Sequence, residues 1–426
     1  MLILSIYISI FIFVLLSYRF LTKQLATNKK TEQRKTVTFG DESAVSSNRT
    51  ASVLSILTLF LLWCSFTGSK LFPLHVPGPF VGDTSFTYSA SNEDKQTETA
   101  EVFIRVSPAG EIRVKPDIPT DNIYNNNVFA KNDIARVSAW RSVLIRVKKN
   151  DVGGNEKHYQ VTEVNGQKIT PKQKIQVKNG SVTVTSKGSL SFTPEKGWQM
   201  EAIWLPAPEA VFARLIEISK DGYQNISLFE NIGWSLFRVL AGFMLGCLVG
   251  IPLGYAMGLS SWFRGWFDPI VEFMRPVPPL ALIPLIIIWF GIWESGKISL
   301  LFLAALWVMT IAARSGVSGI NITKIHAAYS LGASKFQILL HVIIPNSLPE
   351  VFTGARVAMG ICWGTVVAAE LVAAEKGAGK MIIAASKFQQ TDIVIMGIIL
   401  IGVIGYLIDL LMRLAENKLV PWKGRS

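Results

Sequence analysis

The chain has 426 residues, 50% of them hydrophobic and only 17% charged, where ordinary soluble domains carry about 25% charged residues. Its apolar residues gather in runs near the ~20 needed to cross a bilayer as helix, which makes it a multi-pass membrane protein rather than a soluble one. The net charge of +12 is not a nucleic-acid footprint, because no extended basic face is interleaved with aromatics. Cys64, Cys247 and Cys362 sit in or beside apolar runs and form no C-x-x-C pair, so neither a zinc site nor a disulfide framework is indicated.

Residues 2–18 (LILSIYISIFIFVLLSY) read as a first span with its positive charges after it rather than before it. That order predicts a retained anchor over residues 1–20, its N-terminus outside. The linker 21–50 holds Lys23, Lys29, Lys30, Arg34, Lys35 and Arg49 against Glu32, Asp41 and Glu42, an excess that keeps it cytoplasmic. The first core span, 51–69 (ASVLSILTLFLLWCSFTGS), then crosses outward.

From 70 to 203 the pattern changes. Runs such as EVFIRVSPAGEIRVKP and KIQVKNGSVTVTSKGSLSFTP alternate apolar with polar residues between Gly, Asn and Pro turns. They predict an extracytoplasmic, antiparallel β-sandwich or barrel, of which the sandwich is the expected form. WLPAPEAVFARLIEISKDG (204–222) follows as an amphipathic helix at the outer membrane surface. Further spans are expected at 229–259, 270–292, 298–313, 354–375 and 391–412, seven in all with the anchor. Alternation of sides places Arg264, residues 314–350 and the C-terminal tail inside, and Glu294 and Lys297 outside. Lys376, Lys380 and Lys387 then fall outside, against the charge rule.

Within these elements, Gly242, Gly246, Gly250, Gly254 and Gly258 recur every four residues and form a groove for another helix, of the same chain or of a second copy. FMRPVPPLALIPL contains Pro276, Pro278, Pro279 and Pro284. Such prolines free backbone carbonyls and fit either a broken helix lining a pathway or a static kink. Glu370 lies at membrane depth, where a carboxylate faces an aqueous path or a neighbouring helix. Arg238 and Arg275 are nearer span ends, positions from which arginines snorkel or attract an anionic substrate. The segment 314–356 is half-polar. Leu331, Phe336, Leu339, Leu340 and Ile343 fit one apolar face of two short helices, Gly332 permits a sharp turn, and Pro345 and Pro349 are expected to stop the second helix. Such a pair enters a groove on another protein or rests on lipid headgroups. EKGAGKM (375–381) is not a phosphate loop, since its leading glycine is missing and Met381 stands where Ser or Thr binds magnesium.

The pattern His326-Ala327-Ala328-x-x-Leu331-Gly332-Ala333-Ser334, with Ile344-Pro345 and Leu348-Pro349 downstream, resembles the EAA loop of ABC-importer permeases. His326 occupies the place of that family's Glu. WLPAPEAVF, SLFRVLAGF, GIPLGYAMG, DPIVEFMRPVPPLALIPLIIIWFGI, VAAELVAA and LVPWKG extend the resemblance over 204–426 and over the span 51–69, to the taurine, alkanesulfonate and nitrate permease group and most nearly to its taurine branch. Trp293 and Ser295 depart from the glycine-rich loop usual after WFGI. The resemblance implies an all-α transmembrane bundle of the type I importer fold, with the β-sandwich inserted after the first core span and a cytoplasmic coupling loop at 314–353. It implies that Ala327, Ala328, Leu331, Gly332, Ala333, Ser334, Phe336, Leu339, Pro345 and Pro349 dock on a separate ATPase. ATP and magnesium would bind that partner, with no cofactor on this chain. A second copy of the chain, an ATPase dimer and an extracytoplasmic binding protein are the implied partners, in the inner membrane of a bacterium. Residues 143–198 loosely resemble cadherin-like, immunoglobulin-type repeats. Those repeats often bind calcium, for which only Asn150, Asp151 and Asn155 are available, and a plain turn serves the same residues.

Overall fold

The structure, a computed structural model, describes residues 49–91, 97–111, 129–152, 159–186 and 188–422, with scattered helical positions between 9 and 20. The expected anchor over 1–20 and basic linker over 21–50 lie almost wholly outside the described residues, as does Asn155. The chain divides into two units, residues 1–209 and 210–426, and each is taken by itself.

In the first unit, helix α1 (Arg49–Thr67) carries no charged side chain after Arg49 and ends at Gly68, whose φ of 62° turns the chain out of the helix. Nine strands follow among the described residues. β1 (Gly82–Ser91), β2 (Thr97–Ser107), β3 (Asp133–Ser138), β5 (Gln160–Val164) and β6 (Gln167–Lys168) form one sheet in the order β3-β2-β1-β5-β6. β4 (Val143–Ile145), β7 (Lys174–Val177), β8 (Gly180–Val184) and β9 (Leu190–Pro194) form the other in the order β4-β9-β8-β7. The period of two in β2 sends Ala100, Val102, Ile104 and Val106 into the core. There they join Val182, Leu190 and Phe192 of the second sheet, and Phe86 stacks on Phe192 with ring centroids 6.2 Å apart. One expectation is corrected: β2 and β3 pair parallel. Their long connection allows the crossover that parallel pairing requires.

Asp151 is 7% exposed and its carboxylate is occupied internally. It accepts the Lys131 N–H at 2.6 Å, the Tyr88 hydroxyl at 3.0 Å and the Tyr159 hydroxyl. Among the described residues no group of three or more His, Cys, Asp or Glu is placed to hold a metal.

The strands entering and leaving the sandwich run side by side as a neck. Trp198 N–H donates to the Pro77 carbonyl at 2.7 Å, Phe80 N–H to Glu195 at 3.0 Å, and Met200 N–H to Phe66 at the end of α1 at 2.9 Å. Gly197, at φ 64°, packs so close to the Gly78 backbone that no side chain fits between them.

The second unit is helical. Its elements are α2 (Pro208–Asp221, which begins in the first unit), α3 (Leu228–Leu259), α4 (Ser261–Met274), α5 (Ile283–Phe290), α6 (Glu294–Ser318), α7 (Ile322–Ser330), α8 (Lys335–Ile338), α9 (Ile344–Ala373), α10 (Ala378–Lys387) and α11 (Thr391–Leu419). Among the described residues, 228–259, 294–318, 335–371 and 391–419 are long and apolar enough to cross a membrane; α1 is shorter. The expected span at 270–292 is not one helix. α4 and the stretch 279–290 meet at 93°, because Pro278 is extended (φ −66°, ψ 131°) and forces its predecessor out of helical geometry.

Pro345 and Pro349 do not stop a helix. The chain runs from Lys335 to Ala373 through a π-helical turn at Leu339–Ile343, closed by the Ile344 N–H on the Leu339 carbonyl just before Pro345, which has no N–H to give. The expected span over 354–375 is therefore only the C-terminal part of a longer helix. α10 is a ten-residue helix between the last two spans, for which no element was expected.

The five α3 glycines face α6. Gly242 lies against Leu301, Gly246 against Ala305, Gly250 against Leu306 and Met309, Gly254 against Thr310 and Ala313, and Gly258 against Val317. The groove thus receives a helix of the same chain, with backbones closer than side chains would permit.

Candidate translocation and coupling sites

One face of α3 continues the glycine stripe with polar residues: Asn231, Ser235 and Arg238 are all buried. Arg238 is 1% exposed and does not snorkel. Its Nε and Nη2 donate to the two Glu294 oxygens at 2.5 and 2.8 Å, and its Nη1 donates to Glu370 at 2.6 Å and to the Lys376 carbonyl at 2.8 Å. Lys297 Nζ reaches Glu294 at 2.8 Å. Two cations thus meet two carboxylates, which is the condition for burying charge at tolerable cost.

Glu370 has no exposed surface. Besides Arg238 it accepts the Ser235 hydroxyl at 2.7 Å and the Gly379 N–H at 2.9 Å. The two preceding amides go to α3, Gly377 N–H to Asn231 at 2.9 Å and Ala378 N–H to Ser235 at 3.0 Å. The glycine-rich stretch thus gives one amide to the chain's own carboxylate and two to the α3 side chains beside it. The network joins α3, α6, α9 and the turn before α10.

Arg275 lies apart from it. Its side chain is 64% exposed and 3.7 Å from Glu272. Pro276 and Pro278 occupy the 93° bend. Near the far end of α6, Arg314 pairs with Asp268 and Glu272 of α4, and the Tyr255 hydroxyl meets Ser347 at 2.6 Å.

The segment after α6 forms an elbow. Asn321 caps α7 by accepting the Thr323 N–H at 2.9 Å, and Ser334 with Gln337 forms a capping box on α8. Gly332, at φ 81°, makes the turn with open space around it. The expectation of a single apolar face is corrected here. Ala328, Ala333 and Leu339 pack inward on Val317, Ile338 and Ile343, whereas Leu331 is 88% and Phe336 70% exposed. Ala327, Ser334 and His326 are exposed as well. The inward set fixes the elbow to the bundle, and Leu331 and Phe336 face away from it.

Sequence reading missed Asn231, Ser235, Glu294 and Lys297. A signal was present: Asn231, Ser235 and Arg238 are spaced i, i+4, i+7 and lead directly into Gly242, so polar and small residues share one helical face.

Residues 246–421 match the family described as "Binding-protein-dependent transport system inner membrane component". The chain is 44% identical over 223 residues to the taurine transport system permease protein TauC of Escherichia coli (strain K12), covering 52% of this chain and 81% of that one. It is 38% identical to the putative aliphatic sulfonates transport permease protein SsuC of the same strain (53% and 84% covered). It is 33% identical to the nitrate import permease protein NrtB of Leptolyngbya laminosa (46% and 70%). An inward-facing structure of the MetNI methionine ABC transporter aligns with a TM-score of 0.40 at 19% identity, over 46% of this chain and 94% of that one. The relatives cover only about half of this chain, and the family match over 246–421 lies wholly within the second unit. The helical half, with its glycine-packed helices and exposed elbow, belongs to the binding-protein-dependent transport system inner membrane components, the permease family of ABC importers.

Proposed function

We propose that the chain is the membrane-spanning subunit of an ATP-driven importer for a small sulfonate such as taurine. It works as a homodimer with two copies of a separate ATPase, which bind ATP and magnesium, and with an extracytoplasmic binding protein that delivers the solute. The similarity to TauC and SsuC supports the sulfonate. The observation that carries the coupling is the elbow, where exposed Leu331 and Phe336 flank the positive-φ turn at Gly332.

ATP binding draws the ATPases together, and their grooves move the elbow. Because Ala328, Ala333 and Leu339 are packed on Val317 and Ile343, that movement passes to α6 and α9. ATP favours one of two states of the bundle only by binding them unequally, and the solute-loaded binding protein biases the other side. Among the candidate path residues Glu370, Arg238, Arg275, Pro276 and Pro278, the bend at Pro276–Pro278 and the exposed Arg275 suit a path-lining role. The sealed Glu370–Arg238 pair suits a hinge-side lock. The sandwich stands on the extracytoplasmic side, following the outward crossing of α1.

Disruption of the gene followed by growth on taurine as sole sulfur source tests the substrate, and loss of growth is expected. Unimpaired growth with impaired growth on nitrate would favour the nitrate reading, which the likeness to NrtB supports.

A further inference from the structure

The nineteen residues of α1 span about 28 Å at ~1.5 Å per residue, slightly less than the ~30 Å hydrocarbon core of a bilayer. The chain passes from Thr67 through Gly68 directly into the neck, so the neck lies where hydrocarbon gives way to headgroups if α1 crosses. Its side chains have the composition of that layer. Leu71, Leu74, Trp198 and Trp204 are exposed, Trp204 by 76%, while the sandwich beyond buries Phe86, Tyr88, Ile104 and Phe192 almost completely. Water-facing apolar residues so concentrated mark an interaction surface, and tryptophans favour the boundary between membrane and water.

The same neck holds a cavity of about 480 Å³, lined among others by Lys70, Val81, Ala109, Trp140, Met200 and Leu205, within the size range of ligand sites. The neck hydrogen bonds join the segments that form its walls, and Glu209 accepts the Lys70 backbone N–H at 2.9 Å. A mainly apolar cavity with one cation, at the end of an apolar helix, matches a lipid with its tail inside and its phosphate outside.

We propose that this neck cavity is a lipid site. An acyl chain of a membrane phospholipid fills the space between Val81, Ala109, Trp140, Met200 and Leu205, and Lys70 meets the phosphate. The bound lipid pins the sandwich to the bilayer surface through its neck.

The test uses the full chain in phosphatidylcholine vesicles doped with a phospholipid carrying a photoactivatable group in its acyl chain. The probe is phosphatidylglycerol in one arm and phosphatidylcholine in the other, and labelled peptides are mapped by mass spectrometry. Peptides 70–81 and 198–207 are expected to label in both arms, with about fivefold preference for the anionic probe that Lys70→Ala removes. Ala109→Trp, which fills the cavity, is expected to lower neck labelling at least several-fold while α11 labels as before. If that variant fails to insert, shown by loss of α11 labelling, Ala202→Trp on another part of the wall provides the same comparison. Absence of neck labelling, or labelling unchanged by the filling variant, overturns the site. Equal labelling by both probes overturns the role of Lys70.

Discussion

Arg238 Nη1 donates to the Glu370 carboxylate at 2.6 Å, and the two side chains are 1% and 0% exposed. Both charges sit in the apolar part of the chain, so each depends on the other and on Glu294 and Ser235 for its solvation. Removing one partner strands the other, at a cost of about 3–5 kcal/mol. Arg238→Met should therefore lower the melting temperature sharply, and Arg238→Met combined with Glu370→Leu should recover much of the loss. Thermal unfolding in detergent checks both, and an unaltered single variant would refute the lock.

The α3–α6 contact predicts a contrast between glycines. Gly250 has the Leu306 carbonyl 2.8 Å from where a Cβ would stand, whereas Gly402 has open space. Gly250→Val should destabilise by about 1–3 kcal/mol through overpacking, and Gly402→Ala should be neutral or slightly stabilising. The same unfolding assay reads both.

In the sandwich, burial and then the neighbouring Asp151 charge push the Asp133 carboxyl up to about 7. The folded state holds this proton more tightly than the unfolded chain, whose carboxyl titrates near ~4. Sandwich stability should thus fall as pH rises from about 4 to about 7 and level off above that. Hydrogen-exchange protection of the β1 and β2 amides, corrected for intrinsic rates, measures it. Asp133→Asn should flatten the slope.

At the elbow, Gly332→Pro demands a φ near −65° where the chain has 81°. It should abolish co-purification of the ATPase while leaving membrane insertion intact. Leu331→Asp and Phe336→Asp should do the same without straining the backbone, since both side chains are exposed. Persistent co-purification of all three variants would place docking elsewhere.

Much of the fold is legible from periodicity. The every-fourth glycines announced a helix contact, and alternation in EVFIRVS announced a core-facing strand. What escaped reading depends on partners distant in sequence. Arg238 near a span end looked like a snorkelling residue because Glu294 and Glu370, which bury it, lie 56 and 132 positions away. Pro345 looked like a helix stop because a π-helical turn that absorbs a proline leaves no compositional mark. The elbow's split into an inward and an outward face depended on Val317 arriving from another helix.

The central claim is that an outside nucleotide engine drives transport through the Leu331–Phe336 elbow. The most direct measurement is uptake of radiolabelled taurine into proteoliposomes containing this chain and its binding protein, with and without the ATPase and ATP. The account predicts accumulation only when the ATPase and ATP are both present, and its loss in Gly332→Pro. Accumulation by the chain without any ATPase would contradict it.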